Sequence, residues 1–184
     1  RGPGVVMEGG AIDGNGAGTV LVTESCLLDP RRNGSMSRPR MEEILRRYCG
    51  ISRVIWLAGG TLAGDDTDGH VDQLARFVSP SRVVAAVEDD AGDENWVPLR
   101  ANLRHLQAYR STCRAPFEII ELPMPAPIYL AGQRLPASYC NFYIGNRCVL
   151  MPLFDDAADA AALNVLQPLF PGREVIGIPA GELV

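Results

Sequence analysis

The sequence predicts an α/β fold of three successive strand–strand–helix–strand rounds. Three observations carry this. Apolar runs of strand length come in pairs separated by turn residues. Each pair is followed by a segment whose apolar residues recur at helical spacing, and a short apolar run then closes the round. The order returns with a period of about 60 residues.

In the first round, residues 5–8 read as a strand ended by Gly9-Gly10, with Asp13-Gly14-Asn15-Gly16 as a turn. The second arm, residues 18–28, is carried by Thr19-Val20-Leu21-Val22-Thr23. A loop with Pro30, Asn33, Gly34 and Pro39 follows. Ser37 can cap a helix over residues 40–48, with Pro39 in its first turn and Gly50 closing it. Met41, Ile44, Leu45 and Tyr48 share one predicted face of that helix. Residues 54–57 then read as a buried strand.

In the second round, residues 73–79 and 82–87 predict paired strands about Pro80-Ser81. Asn95 can cap a helix striped by Leu99, Leu103 and Leu106, and residues 117–122 return as a strand. In the third, residues 139–144 and 148–154 flank a Gly145-Asn146 turn. Asp155 or Asp156 can cap a helix through Ala160, Leu163, Leu166 and Leu169, and residues 174–178 form the last strand. The rounds span residues 5–58, 64–123 and 138–179 of a single domain, 1–184. Periodicity does not say whether they stack side by side or sit around an axis.

The composition is that of an ordinary globular chain, 47% apolar and 21% charged. Its net charge of −5 argues against nucleic acid as the main partner. Five cysteines, an odd number without CxxC spacing, point to buried small hydrophobes in a reduced, cytoplasmic setting. No apolar run reaches membrane-spanning length. The first residues have neither a signal-peptide layout nor an initiator Met, and both ends look abrupt.

The densest chemistry lies in Gly64-Asp65-Asp66-Thr67-Asp68-Gly69-His70-Val71-Asp72, four carboxylates and a histidine within nine residues. If its last part is extended, Asp66, Asp68, His70 and Asp72 share one face. Such a face can hold a cation, a metal or a proton-transfer pair. A solvated acidic loop is the plain alternative, weakened here by the flanking glycines and the apolar strand that follows. The calcium-loop pattern fails, because its Gly and final Glu are not at the required offsets.

Together, Met7-Glu8-Gly9-Gly10-Ala11-Ile12-Asp13, the acidic stretch and Ser138-Tyr139-Cys140-Asn141-Phe142-Tyr143-Ile144 resemble the agmatine deiminases of the Porphyromonas-type peptidyl-arginine deiminase family. Thr23-Glu24-Ser25-Cys26-Leu27-Leu28 and the stretch from Pro152 extend the likeness along the chain. The resemblance implies a pentein-type α/β propeller of about five ββαβ repeats, of which about three are present. It implies hydrolysis of a guanidinium to a ureido group with loss of ammonia, agmatine giving N-carbamoylputrescine through a covalent amidino-thioether. Within it, His70 would be the proton-transfer base, Asp72 and Glu8 the guanidinium-binding carboxylates, and Asp66, Asp68 and Asn141 further substrate contacts, with Tyr139 beside them.

The chemistry of the residues agrees. A guanidinium is planar and stays protonated, and a carboxylate binds two of its N–H groups side by side. Its carbon needs a strong nucleophile such as a thiolate. Taken singly, Glu8 could end a strand, His70 be a structural histidine and Asp72 cap a turn. No cofactor or resident metal is expected, and the partner expected is a small cationic guanidine, with self-association as a homo-oligomer left open.

The family's Gly-rich His-Cys segment and its early aspartate have no match here. The resemblance therefore implies a fragment that lacks the nucleophile, is inactive alone, and exposes blade edges that make it associate. Competing readings are an arginine or peptidyl-arginine deiminase, an amidinotransferase, a non-catalytic propeller that binds a protein, and a metal site of Asp66, Asp68, His70 and Asp72.

Overall fold

Each round folds as an antiparallel hairpin whose second arm takes a parallel third strand after a helix. The computed structural model describes residues 2–58, 60–112 and 116–182. In the first unit β1 (Ile12–Gly14) pairs antiparallel with β2 (Thr19–Thr23). Two single-turn helices, α1 (Glu24–Leu27) and α2 (Pro30–Asn33), precede α3 (Arg38–Cys49), and β3 (Arg53–Leu57) returns parallel to β2. The second unit repeats the plan with β4 (Ala75–Ser79), β5 (Arg82–Val87), α4 (Trp96–Thr112) and β6 (Glu118–Pro123). After a small hairpin, β7 (Tyr129–Leu130) and β8 (Gln133–Arg134), the third follows with β9 (Tyr143–Ile144), β10 (Cys148–Leu153), α5 (Ala158–Leu166) and β11 (Glu174–Pro179). A parallel return needs a crossover, and the helix supplies it. Three ββαβ units are what a partial α/β propeller requires.

Local chemistry accounts for α3. The Ser37 hydroxyl accepts the Arg40 N–H at 3.4 Å, Pro39 sits in the first turn, and Gly50 ends the helix at φ 69°. Met41, Ile44 and Leu45 are buried, but Tyr48 is half exposed, so the apolar stripe stops a turn early.

Several boundaries differ from expectation. Residues 5–8 form no strand; a 3-10 turn, Gly9–Ala11, leads into β1, so Asp13 and Gly14 are strand rather than turn. Residues 64–70 contain no strand, with a turn at Gly64 and bends over residues 66–68, and Val71–Gln73 is a 3-10 turn. The acidic stretch is therefore not extended, and the single face expected for Asp66, Asp68, His70 and Asp72 does not form. Asp68 is left-handed at φ 58°, a conformation Asp tolerates better than most residues. Residues 139–142 are likewise outside the strand, with β9 beginning at Tyr143. Asn95 stands just before α4, its carbonyl accepting the Leu99 N–H at 3.1 Å, and its Oδ1 accepts the Ala63 N–H at 2.7 Å. Cys113 and the final pair, Leu183-Val184, lie outside the described residues.

The units share cores. Leu21 and Ile55 of the first sheet pack in one cluster with Phe77, Val83 and Ala85 of the second and with Leu103 and Leu106 of α4. Val84 and Leu122 cluster with Val149, Met151 and Phe170 of the third unit. Burying each such side chain contributes roughly 1.5–3 kcal/mol. Among the described residues, no helix is long and apolar enough to cross a membrane.

A buried ion pair crosses all three units. Asp13 of β1 takes the Arg76 Nε–H at 2.7 Å and the Phe77 N–H at 2.6 Å. Arg76 also donates to the carbonyls of Phe142 at 2.6 Å and Cys140 at 3.4 Å, and its guanidinium lies 4.7 Å from the Phe142 ring centroid. Asp13→Ala should strand both donors and cost about 3–5 kcal/mol, the usual penalty for breaking a buried pair from one side. Equilibrium urea unfolding of wild type and variant measures it; a loss within experimental scatter would contradict the arrangement.

Candidate active site

Glu8, His70 and Asp72 converge where the Gly9–Ala11 turn meets the Val71–Gln73 turn. The close approach depends on Gly10. A β-carbon there would lie 2.5 Å from His70 Nδ1 and 2.8 Å from Asp72 Oδ2, well inside contact distance. Glycine at this position is thus a packing requirement of the site itself. Glu8 Oε2 lies 3.5 Å from His70 Nε2.

The acidic loop is shaped from within. Asp65 accepts the Thr67 N–H at 2.9 Å, the Thr67 hydroxyl at 2.5 Å and the Gly69 N–H at 2.6 Å. The Thr67 hydroxyl in turn accepts the His70 N–H at 3.1 Å. From the first unit, the buried Thr23 hydroxyl donates to the Gly69 carbonyl at 2.5 Å. These bonds fix the backbone entering His70.

Two buried atoms of the cluster, His70 Nε2 and Asp72 Oδ1, have no hydrogen-bond partner among the described residues. Burial of an unpaired acceptor costs about 1–3 kcal/mol, so such atoms point to a missing donor. Burial also raises the Asp72 pKa, with the Arg76 and His70 charges opposing it.

Glu8 and Asp68 are differently placed. Arg32 grips Glu8 through Nε, at 2.9 Å to Oε1 and 3.2 Å to Oε2, and reaches Asp68 through Nη1. Arg31 bonds Asp68 Oδ1 at 2.5 Å and Asp29 Oδ2 at 2.6 Å. The Arg32 bond holds the Glu8 carboxyl below its ordinary range, and Arg32 with Arg31 does the same for Asp68. Asp68 has both oxygens engaged in this way, where the sequence suggested a substrate contact. The dipeptide Arg31-Arg32, read from sequence only as loop, is the counter-charge of the site. Its signal was two adjacent cations one step after the Asp29-Pro30 helix start.

Cys26 is also part of the site, although the sequence placed it in the core. It is fully buried at the foot of the cluster and its Sγ lies 3.5 Å from Glu8 Oε2. Burial pushes its thiol up to about 12, and that of Cys140 likewise to about 12. Neither is a ready thiolate.

Asp66 and Asn141 line a separate cavity of about 550 Å³ with Gln73, Ser138, Tyr143 and Ile178. Tyr139 does not line it; its ring is fully buried and its hydroxyl donates to Asp159 Oδ1 at 2.7 Å. Asp66, Asp68, His70 and Asp72 do not converge within reach of one ion among the described residues, which removes the metal site drawn from that stretch. His105 is exposed on α4, as its polar neighbours imply.

A model of the Porphyromonas-type peptidyl-arginine deiminase family matches residues 1–184. An agmatine deiminase of Pseudomonas fluorescens is 37% identical over 202 residues, covering 100% of this chain and 55% of the relative. A substrate-bound agmatine deiminase of C. jejuni superposes with a TM-score of 0.89 at 33% identity, covering 95% of this chain and 51% of that one. A Porphyromonas gingivalis structure, provisionally named an arginine deiminase, gives 0.90 at 46% identity, covering 95% and 52%. The chain spans about half the length of these relatives.

The raised Asp72 pKa has a thermodynamic consequence. With a folded-state pKa above the ordinary 3.8, the native protein keeps a proton that the unfolded chain releases, so stability falls as pH rises through that window. Asp72→Asn should therefore be more stable than wild type at neutral pH, with the advantage vanishing below the ordinary carboxylate range. Urea unfolding of both proteins at the two pH values checks this; a variant less stable at neutral pH would contradict it.

Proposed function

This chain belongs to the Porphyromonas-type peptidyl-arginine deiminase family, and from that premise we propose that its site hydrolyses a guanidinium, agmatine and water giving N-carbamoylputrescine and ammonia. The observation that carries the reading is the pair of buried atoms lacking a donor, His70 Nε2 and Asp72 Oδ1. A guanidinium offers five N–H donors in one plane and no acceptor. It satisfies Asp72 with charge as well as hydrogen bonds, offsetting the cost of keeping that carboxylate ionised in a buried place.

In the proposed reaction a thiolate attacks the central carbon and the S–C bond forms. His70 gives a proton to the departing nitrogen as the C–N bond breaks, and ammonia leaves. Neutral His70 then takes a proton from water, the oxygen adds to the same carbon, and the S–C bond breaks to release the ureido product. Glu8 Oε2, 3.5 Å from His70 Nε2, stabilises the protonated imidazole, while Arg32 Nε holds the carboxylate in place through both oxygens. Asp66 and Asn141 receive the distal ammonium of agmatine in the neighbouring cavity. We assign the attacking thiolate to residues outside these 184, because Cys26 and Cys140 are buried thiols held far above neutrality and the relatives are about twice as long. The relative provisionally named an arginine deiminase makes free arginine the competing substrate.

Ammonia release by the complete gene product from agmatine, free arginine and a peptide arginine tests this directly. Agmatine should be turned over fastest, and His70→Asn and Asp72→Asn should each lower kcat/KM by about 10²-fold or more. No turnover of any of the three compounds would overturn the reading.

A further inference from the structure

Three donors of the cluster form a second grouping. Glu8 Oε2, Cys26 Sγ and His70 Nε2 all lie within 4.8 Å of one another. The carboxylate oxygen is 3.5 Å from the sulfur and 3.5 Å from the ring nitrogen. Zinc bonds of about 2.0–2.3 Å to N, O and S, at tetrahedral angles, place donor atoms roughly 3.3–3.6 Å apart. Both measured edges fall in that interval. The set mixes thiolate, imidazole and carboxylate, which suits zinc and disfavours calcium or magnesium.

We propose that Glu8, Cys26 and His70 bind a zinc ion, and that zinc held there blocks the guanidinium site. The sulfur forms the buried floor, while Glu8 and His70, with 37% and 17% of their side chains exposed, give access from outside. The Nε2 atom that would meet the metal is buried and, apart from the 3.5 Å contact with Glu8 Oε2, makes no hydrogen bond among the described residues. The other ring nitrogen, Nδ1, faces Gly10, so Nε2 is the nitrogen turned to Glu8. Arg32 Nε holds Glu8 Oε1 at 2.9 Å and Oε2 at a looser 3.2 Å, so the ion would share Oε2 with that weaker bond, and Asp29, Asp68 and Asp72 balance the local cations. As the Zn–S bond forms, the Cys26 proton goes to solvent, and water completes the coordination. Metal binding stands independently of the deiminase reading; only the inhibition rests on it.

The test uses the complete gene product freed of metal and titrated with cobalt(II). Wild type should show a near-ultraviolet thiolate-to-cobalt band with the visible bands of a tetrahedral ion, displaced by zinc. Cys26→Ser should lose the thiolate band, whereas Cys49→Ser should keep it. Zinc should inhibit agmatine turnover by wild type, and Cys26→Ser should need at least about tenfold more zinc for the same inhibition. A second measurement needs no variant: zinc should slow alkylation of Cys26 in the wild-type protein, followed by peptide mass spectrometry, at least about tenfold. Cobalt spectra without a thiolate band, a band unchanged in Cys26→Ser, or protection confined to other cysteines would overturn the proposal. A thiolate band at Cys26 in a protein that turns over no guanidine would support the metal site while removing the deiminase reading.

Discussion

The site hangs on the buried pair between Asp13 and Arg76. Asp13 stands three residues after Gly10, and Arg76 four after Asp72. Locking β1 against β4 through this pair therefore sets the Glu8-Gly9-Gly10 turn against the His70–Asp72 turn. The pair is well satisfied: Asp13 has a donor on each oxygen, and Arg76 bonds two carbonyls of the third unit besides. Buried ion pairs are weak sources of net stability. Here the gain is one of register, since residues far apart in sequence are placed to within contact distance. Burial raises the Asp13 pKa, and Arg76 opposes it, so the partner that positions the strand also favours its ionised carboxylate.

Within that frame, the two sides of the cluster are electrostatically unlike. Glu8 and Asp68 are neutralised in place by Arg32 and Arg31. Asp72 Oδ1 and His70 Nε2 are buried and have no hydrogen-bond partner among the described residues, Nε2 having only the 3.5 Å contact with Glu8. The first pair is a built ionic scaffold and the second an incomplete one. An incomplete buried polar group costs stability, and that cost is tolerable where a ligand removes it. This difference, more than the number of acidic side chains, marks where a cation would enter.

Much of the architecture was legible in the sequence because the signals were local. Paired strand-length runs, Ser37 and Gly50 at the ends of one helix, and the Leu99–Leu103–Leu106 stripe each act over a few residues. The order of elements followed from them. The residues after Gly64 misled because alternation was read as a strand, whereas Gly64, Asp68 and Gly69 take positive φ and break any extended path. Tyr139 was similarly misread: a Tyr beside an expected pocket segment is here a core ring satisfied by Asp159. Arg32 and Cys26 were missed for a different reason. Their roles arise from contacts with Glu8, 24 and 18 positions away, and no local pattern encodes such a meeting. Gly10 was visible only as a strand terminator, since its closeness to His70 and Asp72 is a tertiary fact.

The central claim is that His70 and Asp72 together form the seat of a planar cation. Nitrogen NMR of ¹⁵N-histidine-labelled protein tests it most directly, with the His70 imidazole assigned by its loss in His70→Asn. Titration with agmatine should move the His70 ring nitrogens saturably and leave the exposed His105 unmoved. Saturable binding that leaves His70 unchanged, or that shifts His105 instead, would contradict the account.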